Sequence, residues 1–190
     1  MPRGEVMKEI IITETQEWII SALLTLMDEK NYHKITIVDI ASKAHIGRST
    51  FYRNFKTKDD ILLLYCNVIF QDFGQIIRCK DEMTLYSISL SYFEFWNQHL
   101  DFLKLLRKSN MLYFIGDRLP DFIANVAVSV KHVLPEEIED TRKRQDSYYF
   151  AHYFNIGGYW SITTLWMNKE QRETPEEMAT IIEKIIFRKL

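Results

Sequence analysis

Within fourteen positions, HIGRSTFYRNFKTK (residues 45–58) gathers five basic or imidazole side chains and three aromatic rings. The window from Ile40 to Lys58 carries Lys43, Arg48, Arg53, Lys56 and Lys58 and no acid, in a chain whose formal net charge is −2. Spacing sorts these residues into two sets. On a helix over Arg48 to Asn54, Phe51 and Phe55 lie one turn apart and face a core, which leaves Arg48, Ser49, Thr50, Tyr52 and Arg53 pointing outward. Guanidinium and hydroxyl groups reach base edges and phosphates, and a tyrosine adds reach at little entropic cost. Lys56 and Lys58 stand at the opening of the next helix, whose amides favour an anion. Such a set points to a nucleic acid; the alternative for any charge run is a solvated face.

Other chemistries find little footing. Histidines at 33, 45, 99, 132 and 152 show neither H-x-x-x-H nor H-E-x-x-H spacing, and there is no phosphate-cradling glycine loop and no G-x-S-x-G. The acids Glu136, Glu137, Glu139 and Asp140 precede a helix, where they favour its dipole. Cys66 and Cys79 are the only cysteines, too few for a disulfide framework or a thiolate zinc site. No catalytic residue, metal or cofactor is expected, and the chain does not read as an enzyme. The N-terminus resembles neither a signal peptide nor a lipidation motif, and no run approaches a membrane span. A cytoplasmic protein with no membrane partner is the expectation.

The elements that must position the basic set are helical almost throughout. A first helix is expected over Met7 to Glu29, with Ile19, Ala22, Leu23, Leu26 and Met27 as its apolar stripe and Asn31 as a left-handed stop. Thr36 to Asp39 has the form of a capping box and opens a short helix, Ile37 to Ala44. After three residues comes Arg48 to Asn54. Thr57 with Asp60 then opens a long helix. Further helices are expected near Met83 to His99, Asp101 to Ser109, Leu112 to Val133 (interrupted at Pro120) and Asp140 to Asn168. A last one starts at Thr174-Pro175-Glu176-Glu177, with Met178, Ile181, Ile182, Ile185 and Ile186 as a stripe. Two short helices joined by a three-residue turn, the second basic, are the parts of a helix-turn-helix.

At this point ITIVDIASKAHIGRSTFYRNFKTKDDIL, Ile35 to Leu62, resembles the DNA-binding signature of the TetR/AcrR transcriptional regulators. Thr36, Ile40, Ala41, Ala44, Thr50, Tyr52, Phe55, Lys58 and Leu62 fall in register, and Phe51 takes a leucine place. The departures are His45 where the family turns on glycine, Gly47 where a serine caps the recognition helix, Ser49 for a second glycine and Arg53 for histidine. The resemblance implies an all-α fold: a three-helix DNA-binding domain over residues 1–58, a connecting helix over 57–79, and a larger effector-binding and dimerisation domain over 80–190. It also implies that Thr36 touches a phosphate, that Arg48, Ser49, Thr50, Tyr52 and Arg53 enter the major groove, and that Lys58, alongside Lys56, holds the DNA backbone.

Seventeen of the 26 aromatic residues lie between Tyr86 and Trp166, a density that requires a heavily packed core or a cavity wall. Tyr92, Trp96, Tyr113, Phe114, Tyr149 and Tyr153 are candidates to line a pocket for a small apolar or aromatic effector. The segment from Asp140 to Asn168 is apolar nearly all round, so it must bury a second face. Gly157 and Gly158 would admit a neighbouring helix closely, and by resemblance Trp160, Ile181 and Ile185 join them in a homodimer interface. The implied function is a repressor that binds a palindromic double-stranded operator as a homodimer and is released by its effector. A helical adaptor or lipid carrier that does not read DNA is the alternative.

Overall fold

The computed structural model describes residues 10–123 and 141–187, with side chains from residue 149 onward in the second stretch. Every regular element among them is helical, which makes the fold all-α as expected. The order is α1 (Glu14–Glu29), a 3₁₀ turn (Tyr32–Lys34), α2 (Ile37–Lys43), α3 (Arg48–Asn54), α4 (Lys58–Arg78), α5 (Leu85–Gln98), α6 (Leu100–Lys108), α7 (Tyr113–Gly116), α8 (Thr141–Trp166) and α9 (Pro175–Ile186).

One device starts five of these helices: a threonine whose hydroxyl accepts from the amide three residues on, answered by a side chain that accepts the threonine's own amide. The pairs are Thr13–Gln16, Thr36–Asp39, Thr84–Ser87 and Thr174–Glu177. At α4 the Asp60 amide donates to Thr57 Oγ1 at 3.2 Å, and the Thr57 amide to Asp60 at 2.8 Å. The first pair moves the start of α1 from the expected Met7 to Glu14. Ahead of it, the Ile10 amide donates to the buried Gln71 side chain at 2.8 Å, so the preceding isoleucines lie outside the helix. Asn31 is corrected too. With φ −57° it is not left-handed; its side chain accepts from the His33 amide and caps the 3₁₀ turn.

The expected helix over Leu112 to Val133 is broken earlier than Pro120. After α7 a turn at 117–118 leads into helical residues 119–123, where proline sits in a first turn that needs no amide from it. Residues 124–133 and the acidic cluster at 136–140 lie outside the described residues. Helix α4, at 21 residues, is long and apolar enough to cross a membrane by length and composition, contrary to the expectation that no segment is. Its apolar residues Ile61, Leu62, Ile69, Phe70, Phe73 and Ile77 are nevertheless buried within the protein, as in a core helix.

The chain divides into two compact units, the first comprising Lys8–Asp72 with Asp101–Phe114. Here α1 packs on α2 and α2 on α3. Ile19, Leu23 and Met27 of α1 are buried together with Ile40, Ala41, Phe51, Phe55, Ile61 and Leu62. Phe102 of α6 meets Tyr65 edge-on at 4.8 Å, and Lys108 pairs with Asp28 at 2.9 Å. The second unit takes Phe73–Leu100 and Ile115–Leu190, besides residues 1–7. In it α9 packs along α5 through Met178, Ala179 and Ile182. Around α5, Phe73, Tyr92, Phe93, Phe95, Trp96 and Trp166 form a buried aromatic core. Two pairs of hydroxyls meet inside that core: those of Tyr159 and Ser89 are 2.5 Å apart, and those of Thr163 and Tyr92 are 3.0 Å apart. Burial pushes the Tyr92 and Tyr159 phenols above their ordinary range, so both stay protonated.

Candidate nucleic-acid interface

The turn between α2 and α3 fixes the aim of the basic helix. Where a glycine is usual, His45 adopts φ 54°, the left-handed region, which histidine enters more readily than most side chains. Its amide donates to the Ser42 carbonyl at 3.1 Å, and the Ile46 amide to the Ala41 carbonyl at 2.9 Å. These two bonds are the Schellman pattern that closes a helix C-terminus. Gly47 follows in extended conformation as the N-cap of α3, with no side chain to cap it. A Cβ there would meet only Ser49 Oγ, at 3.8 Å, so glycine is not sterically required.

Helix α3 then divides as its spacing predicts. Phe51 is wholly buried and Phe55 nearly so, while Arg48, Ser49, Tyr52 and Arg53 are exposed and Thr50 is half-buried. Tyr52, 58 % exposed, stands edge-on to Phe51 at 5.6 Å; the buried ring fixes the base of the exposed one. Asn54 turns back on the helix, donating to the Thr50 carbonyl at 2.8 Å. Among the described residues, Arg48 and Arg53 form no ion pair. Lys56 is exposed at the end of the same stretch. One face thus presents two guanidiniums, an ammonium, two hydroxyls and a phenol, held by two buried rings.

Two residues of the expected contact set have their donors engaged inside the protein. The Thr36 hydroxyl donates to Asp39 Oδ2 at 2.8 Å and accepts from the Asp39 amide at 3.2 Å. Lys30 Nζ lies 2.8 Å from the same carboxylate. Lys58 Nζ donates to the Tyr32 and Ile35 carbonyls at 2.7 and 2.9 Å. It also lies 4.4 Å from the centre of the Tyr32 ring. Lys43 is likewise bound, 2.6 Å from Glu29. The link between Tyr32, Lys58 and Asp59 is invisible in the motif, because a lysine that holds a phosphate and one that holds carbonyls look alike in sequence.

The six aromatic effector candidates are not brought together as a set. Tyr92 and Trp96 are buried in the core of the second unit, whereas Tyr113 and Phe114 belong to the first. Tyr149 and Tyr153 are exposed on α8, with ring centres 4.7 Å apart. His152, one turn along that helix from Tyr149, reaches the Pro120 carbonyl at 2.7 Å. Of the dimer candidates, Gly157 and Gly158 are exposed and a Cβ on either would meet nothing within 4 Å. Ile185 is exposed and Ile181 half-buried. Trp160 instead packs within its own unit: a Cβ on Gly116 would come within 2.7 Å of its indole nitrogen, and Trp96 is 5.9 Å away. Phe150, Phe154 and Leu165, absent from the expected set, are 70, 80 and 70 % exposed. Phe150 and Phe154 stand four apart with Gly158 four further on, and that spacing is the signal the sequence carries.

A helix-turn-helix that buries its phenylalanines and exposes arginines, hydroxyls and a tyrosine defines a DNA-binding protein. Residues 19–65 match the family described as bacterial regulatory proteins, tetR family, and residues 83–188 match the transcriptional regulator C-terminal region. The chain therefore belongs to the TetR family of transcriptional regulators; it binds DNA and is not an enzyme. It is 29 % identical over 144 residues to the HTH-type dhaKLM operon transcriptional activator DhaS of Lactococcus lactis subsp. lactis (strain IL1403), spanning 74 % of this chain and 68 % of that protein. It is 34 % identical over 67 residues to the HTH-type transcriptional regulator HbdR of Aromatoleum sp. (strain CIB), spanning 35 % of this chain and 29 % of HbdR. Among solved structures, a TetR transcriptional regulator from Streptococcus agalactiae 2603V has a similar fold, with a TM-score of 0.63 at 20 % identity over 91 % of this chain and 93 % of that one. The dihydroxyacetone kinase operon activator DhaS gives 0.56 at 18 %, over 93 % and 96 %.

Proposed function

We propose that the protein acts as a homodimer on a two-fold symmetric operator, with Arg48, Ser49, Thr50, Tyr52 and Arg53 in the major groove and Lys56 on the backbone. The observation that carries this reading is the face of α3, where every exposed side chain from Arg48 to Arg53 can donate a hydrogen bond while the apolar ones are buried. The second copy is supported by α8. Phe150, Phe154, Gly157, Gly158, Ser161 and Leu165 fall within a stripe roughly 100° wide on an ideal helix, and every one of them is exposed. Two recognition helices about 34 Å apart would read successive half-sites. On this reading the first unit serves DNA, the second serves dimerisation and an effector, and the protein works in the cytoplasm.

The sign of regulation is the finer part of the proposal. Release of a repressor by a small apolar effector suits the aromatic second unit, where Tyr92, Tyr159, Ser89 and Thr163 place hydroxyls among rings. DhaS is named an activator, and a bound dimer represses or activates according to where its operator lies. Selection of bound sites from random DNA, followed by a reporter carrying the selected site, tests both levels. A symmetric site bound by wild type and lost in Arg48→Ala and Arg53→Ala is the expected result. Retention of full affinity in both variants would sink the assignment. A library of small apolar molecules that leaves both melting temperature and operator affinity unmoved would remove the effector.

A further inference from the structure

We propose that Val38, on the outer side of α2, is a specificity-determining residue that reads the 5-methyl group of a thymine in each half-site. The inference rests on the proposed seating of α3 in the major groove and adds a contact from the helix beside it. Helix α2 has three flanks. Ile40, Ala41 and Ala44 are buried in the core. Asp39 and Lys43, one turn apart, are tied to the end of α1, the first 2.8 Å from Lys30 and the second 2.6 Å from Glu29. Val38 and Ser42, also one turn apart on a helix that advances about 100° per residue, make the remaining flank, and both are exposed. Among the described residues of the helix-turn-helix, Val38 and Tyr52 are the large apolar side chains left exposed, at 47 and 58 %. Of the two, Val38 has no polar tip.

The first helix of a helix-turn-helix crosses the DNA backbone beside the groove that the second one enters. With the core on one flank and the end of α1 on another, the Val38 flank is the one that α2 has free for DNA. A valine there can make no hydrogen bond. On the major-groove edge of unmodified DNA the apolar group is the 5-methyl of thymine, and the other groups are donors and acceptors. Covering a donor or acceptor without replacing its bond to water costs free energy, so valine in this place favours a thymine over the other bases. The side chain is also well prepared for the contact. The capping box of Thr36 and Asp39 fixes the turn in which Val38 lies, and a helical valine keeps one preferred rotamer. The donors of α3 thus read polar edges while Val38 reads a methyl group.

Deoxyuridine in place of thymine removes that methyl group and leaves the hydrogen-bonding edge unchanged. The probe is a duplex recovered by selection from random DNA, with each thymine changed to deoxyuridine in turn and binding followed by fluorescence anisotropy. In wild type, the change at one thymine position of a half-site is expected to weaken binding about fourfold, the worth of one buried methyl group. In Val38→Ala the same change is expected to have no effect. That variant should bind the unmodified duplex about fourfold more weakly than wild type, with the salt dependence of wild type because no phosphate contact is lost. Alanine is the better helix former at an exposed position, so the fold is retained, as circular dichroism checks. A solvated valine would give equal deoxyuridine effects in both proteins at every thymine, and that result would overturn the proposal. So would a selected site with no thymine at matching places in its two halves. Arg48→Ala on the same duplex tells the two failures apart. Weakened binding there without coupling at Val38 rejects the valine contact alone, whereas full affinity in Arg48→Ala rejects the seating of α3 and the valine contact with it.

Discussion

His45 carries more structural consequence than any neighbour of its size. At φ 54° an L-residue brings its Cβ against the following carbonyl, a strain of about 1–2 kcal/mol that histidine bears better than β-branched residues do. His45→Gly is expected to unfold at least as late as wild type in urea, whereas His45→Val loses about 1–2 kcal/mol. DNA affinity should track the valine loss, because the Schellman bonds of His45 and Ile46 set the start of α3. Two residues on, Gly47 leaves α3 without a side-chain cap, and the space beside it is open. Gly47→Ser should therefore stabilise the unit by a few tenths of a kcal/mol, about 0.3, with affinity unchanged or higher. A serine that destabilises would mean that the extended backbone there is held by something other than capping. Both substitutions restore what the family signature expects, so they measure how much the departures at this turn cost.

The capping boxes make the helix starts pH-sensitive in a definite direction. The Lys30 ammonium beside Asp39, with the Thr36 amide and hydroxyl, holds that carboxyl well below its ordinary range. The Thr57 amide also lowers the proton affinity of Asp60. A carboxylate whose folded value is depressed stabilises fully above its unfolded value and loses that contribution as pH falls below about 4. Urea midpoints should thus drop on acidification, and Asp39→Asn should flatten the acid limb while lowering the neutral plateau; an unchanged acid limb would deny Asp39 its part. These same boxes explain what could be read in advance. Thr36, Thr57 and Thr174 announced their helices because an acid stands at the answering position. Thr13 and Thr84 did not, because glutamine and serine give the same bond with a weaker signature, and α1 begins seven residues later than the sequence suggests. The two faces of α3 were legible because burial of Phe51 and Phe55 leaves the intervening positions no other orientation. The effector set was not, since rings of one aromatic-rich half of the sequence, such as Tyr92 and Tyr113, belong to different units. The packing of Trp160 inside its own unit is hidden for a related reason. Its partner is Gly116, whose missing Cβ makes room for the indole, and nothing in the spacing links the two. Gly116→Ala should cost about 1–3 kcal/mol by overpacking, and a second change, Trp160→Phe, should return part of it.

At the scale of the assembly, the proposed dimer would cover the face of α8, an apolar stripe of a kind that monomers rarely expose. Phe150, Phe154 and Leu165 would bury most of their area against a partner, while Gly157, Gly158 and Ser161 between them would let two helix backbones approach. The glycines allow a test in which the monomer and the dimer respond with opposite sign. A side chain added at Gly158 meets nothing within 4 Å inside the chain, and replacing a helical glycine removes a propensity penalty of about 0.5–1 kcal/mol. Gly158→Leu should therefore make each subunit more stable to urea at concentrations where it is monomeric. Against a second copy the same leucine would stand between the helices, so sedimentation should show the dimer weakened and the affinity for a two-fold site reduced toward that for a half-site. Phe154→Asp should weaken the dimer in the same way, by setting a charge where the partner's apolar face would lie. A dimer of wild-type strength in both variants would show that α8 does not form the interface. If urea stability instead falls in Gly158→Leu, the glycine is serving its own subunit and the interface must be sought on the exposed end of α9, at Ile185, Ile186 and Phe187.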